Sequence, residues 1–162
     1  MKKTLSLLVF ILVINVLNAQ SRNPKYEAYI EKYSEFAIQC QNEHHIPASI
    51  TLAQGILESG AGESSLAREC NNHFGIKCGS DWYGRSTRKD DDRPNECFRC
   101  YKSAKESYDD HAKFLQRQRY AFLFDYPITD YKSWAYGLKQ AGYATDPKYP
   151  QKLINIIETY KL

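Results

Sequence analysis

The chain has 162 residues, 22 Lys and Arg against 19 Asp and Glu, a formal charge of +3 and 43% hydrophobic residues. Its charges are scattered rather than gathered into a basic stripe, which argues against an electrostatic nucleic-acid binder. No internal repeat, low-complexity tract or obvious linker divides it, so one domain with a sizeable core is expected.

Lys2 and Lys3 precede an apolar run from Leu5 to Val16, and Leu17-Asn18-Ala19 follows. This has the form of a secretory signal over 1–19, cleaved after Ala19, because the apolar stretch is shorter than the roughly 20 residues of a membrane span. The expected mature domain is 20–162: exported to the periplasm or extracellular space, monomeric and without a membrane anchor. Removing Lys2 and Lys3 leaves it nearly neutral, with 20 basic against 19 acidic side chains.

All five cysteines, Cys40, Cys70, Cys78, Cys97 and Cys100, fall in this mature part. Export makes disulfides their expected fate, with one left over. Zinc is the rival for Cys97-x-x-Cys100, but Cys70 and Cys78 are too far apart to form the matching knuckle. Neither a metal nor another cofactor is expected.

Tyr26, Ile30, Tyr33, Ala37 and Cys40 recur every three or four positions and predict an amphipathic helix. Pro47 opens a second helix through about Ser59, stopped by Gly60 and Gly62, and a short third covers Ser64 to Glu69. Phe74 to Cys78, Gly84 to Lys89 and Glu96 to Tyr101 read as short strands of a small antiparallel sheet, with Asp91 to Asn95 at a hairpin tip. A disulfide between Cys78 and Cys97 would clip this lobe, which is too small to hold together by burial alone. The capping-box spacing of Ser103 and Glu106 launches a helix through about Gln118, with Tyr108, Ala112 and Leu115 on one face. Another helix spans Asp130 to Ala141. Asp146-Pro147 supplies a cap and first-turn proline for the last, with Leu153, Ile157 and Tyr160 inward. The fold class is mainly α with one small β-lobe.

Around the second helix, Ile46, Ile50, Leu52, Ala53, Ile56 and Leu57 form an apolar stripe, and Glu58 lies opposite it in line with Thr51, Gln54 and Gly55. Periodicity alone makes Glu58 a surface acid, but a substrate cleft also faces away from a core. The small residues Thr51, Gly55, Ser59 and Gly60 beside it would let another chain approach closely. Asp90-Asp91-Asp92 reads as a solvated hairpin tip, yet a hairpin can also carry a second carboxylate across a groove. Two carboxyl groups in different environments are what glycosidic bond cleavage requires. Tyr143 and Tyr149 lie in the polar stretch GYATDPKYP and could line a sugar groove. His44, His45 and His111 lack a catalytic or metal-binding spacing, and neither a Gly-x-Ser-x-Gly elbow nor a phosphate loop is present.

Four stretches taken together, IPASITLAQGILESGAGESSLA, NNHFGIKC, ECFRCYKSAKESYDDHAKFL and AGYATDPKYPQKLINII, resemble the glucosaminidase domain of glycoside hydrolase family 73. The resemblance runs in order from about Ile46 to Ile157. It implies a lysozyme-like, mostly α fold and hydrolysis of the β-1,4 bond between N-acetylglucosamine and N-acetylmuramic acid, with peptidoglycan glycan strands as partner. By position it makes Glu58 the general acid, places Tyr143, with Tyr149 after it, at the active site, and gives Gly75, Ile76 and Lys77 structural roles. Gln54, in line with Glu58 on the same helix, is a further candidate substrate contact. The hairpin departs from the family pattern, so Asp90 is the best match for the second carboxylate and Asp91 the next. A muramidase, a lytic transglycosylase and a catalytically silent glycan-binding module are the rival readings.

Overall fold

A computed structural model describes residues 22–162, so the signal segment expected over 1–19 lies outside the described residues. Helix α1 runs over Pro24–His44, longer at both ends than its apolar pattern, because the Asn23 side chain caps it and His45 ends it in a left-handed conformation. Helix α2, Ala48–Ser59, stops at left-handed Gly60, whose N–H bonds back to Ile56. The short α3, Ser65–Cys70, is capped by the Ser64 hydroxyl on the Ala67 amide.

Strand β1, Ser86–Lys89, pairs antiparallel with β2, Glu96–Arg99, with Thr87 opposite Phe98 and Arg88 opposite Cys97. The expected third strand at Phe74 to Cys78 is reduced to one bridge between Lys77 and Phe98. Asn72 explains the difference. Its side chain accepts from the Ile76 amide and donates to the Ile76 and Arg99 carbonyls, while Gly75 takes φ 63°. The segment is thereby closed into a turn instead of extended along the sheet. Cys78 and Cys97 are bonded, Cys70 joins Cys100, and the buried Cys40 is the free thiol. The two disulfides fasten the hairpin to the end of α3 and to the turn that precedes it.

Helix α4, Ala104–Leu115, begins at its Ser103 cap but ends before the expected Gln118. A 3-10 helix over Gln118–Asp125, which periodicity did not reveal, carries Tyr120 and Leu123 into the core. Helix α5, Tyr131–Gln140, is capped by Asp130. Helix α6, Tyr149–Tyr160, starts later than Asp146-Pro147 predicts, with Pro150 in its first turn. Asp146 is occupied beforehand: its carboxylate accepts from the Lys148 amide and its carbonyl from the Tyr149 amide, which makes a turn leading into the helix. Among the described residues no helix is long and apolar enough to cross a membrane.

Helix α2 is the central strut, packed mainly on α1 and α6. The one-sided reading of this helix is wrong: Thr51, Gln54, Gly55 and Ser59, expected on an open face, are buried as fully as Ile50 and Ile56. The chain that approaches the small residues is the protein's own. The Tyr108 hydroxyl donates to that of Tyr29, and Tyr29 donates to Nδ1 of His73, whose pKa burial lowers to about 4, so that it stays neutral and can accept. These hydroxyls lie against Gly55, where a Cβ would meet Tyr29 Oη at 2.5 Å and Tyr108 Oη at 3.0 Å.

In an exposed helix, replacing glycine by alanine stabilises by up to about 1 kcal/mol. Here Gly55→Ala should instead destabilise by about 1–3 kcal/mol, by overpacking against a buried hydroxyl pair. Denaturant unfolding of the two proteins decides the sign.

Candidate active site

The site is built where α2 runs out. Glu58 is the penultimate residue of the helix, one turn beyond the buried Gln54, and the left-handed Gly60 ends the helix just past it. Glu58 is exposed along the groove, and the protein around its carboxyl still strips away part of its water. Burial raises its pKa, the hydrogen bond from Tyr149 works against that rise, and the negative charge of Asp91 adds to it. A negative charge in the last turn of a helix is also opposed by the helix dipole.

The Tyr149 hydroxyl donates to Glu58 Oε1 at 2.9 Å, and Gln54 Nε2 donates to the Tyr149 oxygen at 3.0 Å. Tyr149 opens α6 and is 3% exposed; Gln54 has no exposed surface. Gln54 therefore sits behind Tyr149 and orients it, where the sequence reading placed it against substrate. Tyr143, half-buried in the loop between α5 and α6, stacks on Tyr149 with ring centres 5.7 Å apart and planes at 26°. The three residues expected from the motifs thus meet Glu58 as a linked unit.

Two adjoining clefts share Glu58, Asp92, Gly142 and Tyr143 in their linings. The larger, about 680 Å³, continues past Ser64, Leu66, the hairpin and the corner after α4; the smaller, about 390 Å³, continues past Ala144, Thr145 and Tyr149. Glu58 stands at their junction.

The hairpin contributes Asp90, Asp91 and Asp92 to the larger cleft. Asp90 Oδ1 accepts from the Asn95 amide at 2.8 Å and so braces the turn. Asp91 and Asp92 lie 3.1 and 3.4 Å from Lys77 Nζ, which also contacts Glu96 at 2.8 Å. Lys77, which the sequence reading treats as structural, therefore also lines the groove. Glu96 first and Asp91 next hold its ammonium charged, and that ammonium sits among the three carboxylates that otherwise come near enough to hold a cation.

Phe74, Ile76 and Phe98 line the same cleft. His111, fully buried, stacks on Phe74 at 3.9 Å and 13°, and neither of its ring nitrogens has a hydrogen-bond partner among the described residues. Burial pushes its pKa down to about 3, so it acts as a neutral aromatic support. Phe114, Arg117 and Arg119 also line the cleft. Arg119 Nε donates to the Ala141 carbonyl at 3.0 Å and so fixes the end of α5 beside Gly142. The two arginines escape motif reading because they follow the helix that carries the periodic signal.

Residues 34–162 match the family model described as mannosyl-glycoprotein endo-beta-N-acetylglucosaminidase. The exo-glucosaminidase LytG of Bacillus subtilis is 34% identical over 84% of this chain and 52% of its own length. The peptidoglycan hydrolase FlgJ of Escherichia coli K12 is 32% identical over 83% of this chain and 47% of its own. The chain thus spans about half the length of these curated relatives. Among solved structures, a peptidoglycan hydrolase from Sphingomonas sp. A1 superposes with TM-score 0.72 at 30% identity, covering 83% of this chain and 90% of that one. The glycoside hydrolase domain of Salmonella typhimurium FlgJ does so with TM-score 0.71 at 31% identity, covering 84% and 88%. With the family match running from residue 34 to the last residue and similar relatives spanning most of the chain, this protein belongs to the glucosaminidase family.

Proposed function

We propose that the protein is an exported peptidoglycan hydrolase that cleaves the β-1,4 bond between N-acetylglucosamine and N-acetylmuramic acid. The observation that carries this reading is Glu58 at the junction of two clefts, with its carboxyl raised in pKa and oriented by Tyr149. A carboxyl in that state can arrive protonated and donate to the leaving glycosidic oxygen as the bond to the anomeric carbon breaks. Positive charge then develops on the sugar ring, and a carboxylate nearby stabilises it. Asp91 suits that role better than Asp90, because its charge is felt at Glu58 whereas Asp90 braces the hairpin turn. Water adds to the anomeric carbon and its proton returns to a carboxylate of the pair.

Room on both sides of Glu58 favours cleavage within a strand, in line with the family's endo description, although one relative is named an exo-glucosaminidase. The expected signal at 1–19 and two disulfides support export. A second reading draws on Lys77, whose ion pairs engage Asp91 and Asp92 while Glu58 is bonded to a neutral hydroxyl. A lytic transglycosylase working with one acid would use such a site. Mass spectrometry of digested sacculi separates the two: reducing N-acetylglucosamine supports the hydrolase reading, and anhydro-muramyl ends support the other.

Glu58→Gln should lower the release of reducing ends by about 10²–10⁴-fold, the usual worth of a general acid, while leaving the fold intact. Its stability carries a separate sign. A carboxyl with a raised folded pKa costs stability once it ionises, so wild type loses stability as pH climbs from the unfolded value toward the folded one. Glu58→Gln should therefore melt at or above the wild-type temperature at pH 7, and the gap should close below about pH 4.

Tyr149→Phe removes the donor that opposes the Glu58 shift and strands Gln54 Nε2 inside the protein. The alkaline limb of kcat/KM should move to higher pH, and stability should fall by about 1–3 kcal/mol. An unmoved limb in the pH profile would separate Tyr149 from the acid.

A further inference from the structure

The basic side chains that line the larger cleft are not equivalent. Lys77 is held by Asp91, Asp92 and Glu96. Lys89 is held by Glu69 and the Ser65 hydroxyl, and Arg119 donates to main-chain carbonyls. Arg117 is exposed and has neither a carboxylate within ion-pair distance nor a side-chain hydrogen bond among the described residues. Its guanidinium lies over the Phe114 ring, whose centre is 4.5 Å from the guanidinium carbon. A cation over an aromatic face is held in place while its N–H fork stays free.

That placement ties Arg117 to the reacting centre. The Phe114 ring meets Tyr143 edge-on at 6.1 Å, Tyr143 stacks on Tyr149, and Tyr149 holds Glu58. Arg117 lines the larger cleft and is absent from the smaller, so it addresses the strand on one side of the scissile bond. A planar fork with free donors matches a carboxylate in two parallel hydrogen bonds. The sugar rings of a peptidoglycan strand are uncharged, and carboxylates hang only from the muramic acid residues, as the lactyl group or as the peptide attached to it.

We propose that Arg117 forms a carboxylate subsite that reads the acidic substituent of muramic acid and so sets the enzyme's register and its preference for peptidoglycan over neutral N-acetylglucosamine polymers. This rests on the hydrolase reading above and names the substrate feature that the groove selects. The rest of the lining is consistent with it, because the hairpin acids would repel the same carboxylate at the hairpin side and favour its placement near Arg117.

The test compares native glycan strands with the same strands after carbodiimide and ammonia have converted their carboxylates to amides. For the wild type, amidation should raise KM about five- to tenfold with kcat changed less than about twofold, the scale of a partly exposed charge-assisted hydrogen bond. In Arg117→Gln the ratio of the two KM values should fall to about one, and Arg117→Lys should lie between, since it keeps the charge without the fork. A loss of packing would weaken both substrates alike and leave the ratio unchanged. An equal amidation effect in wild type and Arg117→Gln, or none in the wild type, overturns the proposal. An amidase that strips the peptide frees a lactyl carboxylate in its place, which distinguishes the sources: an amidation effect on stripped strands shows that the lactyl carboxylate is read, and an effect confined to strands that keep the peptide assigns the peptide. Should the wild type release no reducing ends from any strand, the catalytic reading fails. Sedimentation of the proteins with native and amidated strands then still tests the subsite by the same ratio of affinities.

Discussion

The site depends on one buried polar chain: Gln54 donates to Tyr149, and Tyr149 donates to Glu58. Gln54 lies inside a helix enclosed by α1 and α6, so its position is set by the core rather than by solvent. Tyr149 opens α6, which places the first residue of the last helix against the last turn of α2. Through this chain the packing of three helices fixes the direction of a single carboxyl. It also explains how one acid is kept apart in a groove lined by three hairpin aspartates: Asp91 is paired with the Lys77 ammonium, while Glu58 has a neutral hydroxyl as partner.

The β-lobe serves the site differently. Two strands of four residues cannot bury enough surface to stand alone. The Cys70–Cys100 disulfide and the Asn72 side chain bind the lobe to the end of α3, Cys78–Cys97 clips it to the adjoining turn, and Lys77 gathers the acids near its tip. The helical side therefore presents a preset acid, and the hairpin presents a charged edge held by ion pairs that remain partly exposed and open to salt.

Most helices were legible because capping residues and apolar spacing agree, as at Ser103 and Asp130. The central helix was legible as a helix but not in its surroundings. Thr51, Gln54, Gly55 and Ser59 look like a polar face until tertiary partners, the hydroxyls of Tyr29 and Tyr149 among them, turn that face inward. The missing third strand has the same kind of cause, since a single side chain, Asn72, supplies the hydrogen bonds that a sheet ladder would have made. Motifs single out Glu58, Tyr143 and Tyr149, which the fold links by a hydrogen bond and a ring stack. The places of Lys77 and Arg117 in the groove carry no such signal, because distant segments meet there.

Whether Glu58 can serve as the general acid turns on its protonation state, which a carboxyl carbon-13 titration of the wild-type protein, assigned by the resonance that disappears in Glu58→Gln, reads directly. The account predicts a midpoint above the ordinary glutamate value of about 4.3, moving upward again in Tyr149→Phe. A midpoint at or below that value would mean that Glu58 is ionised whenever substrate arrives, which contradicts its assignment as the general acid.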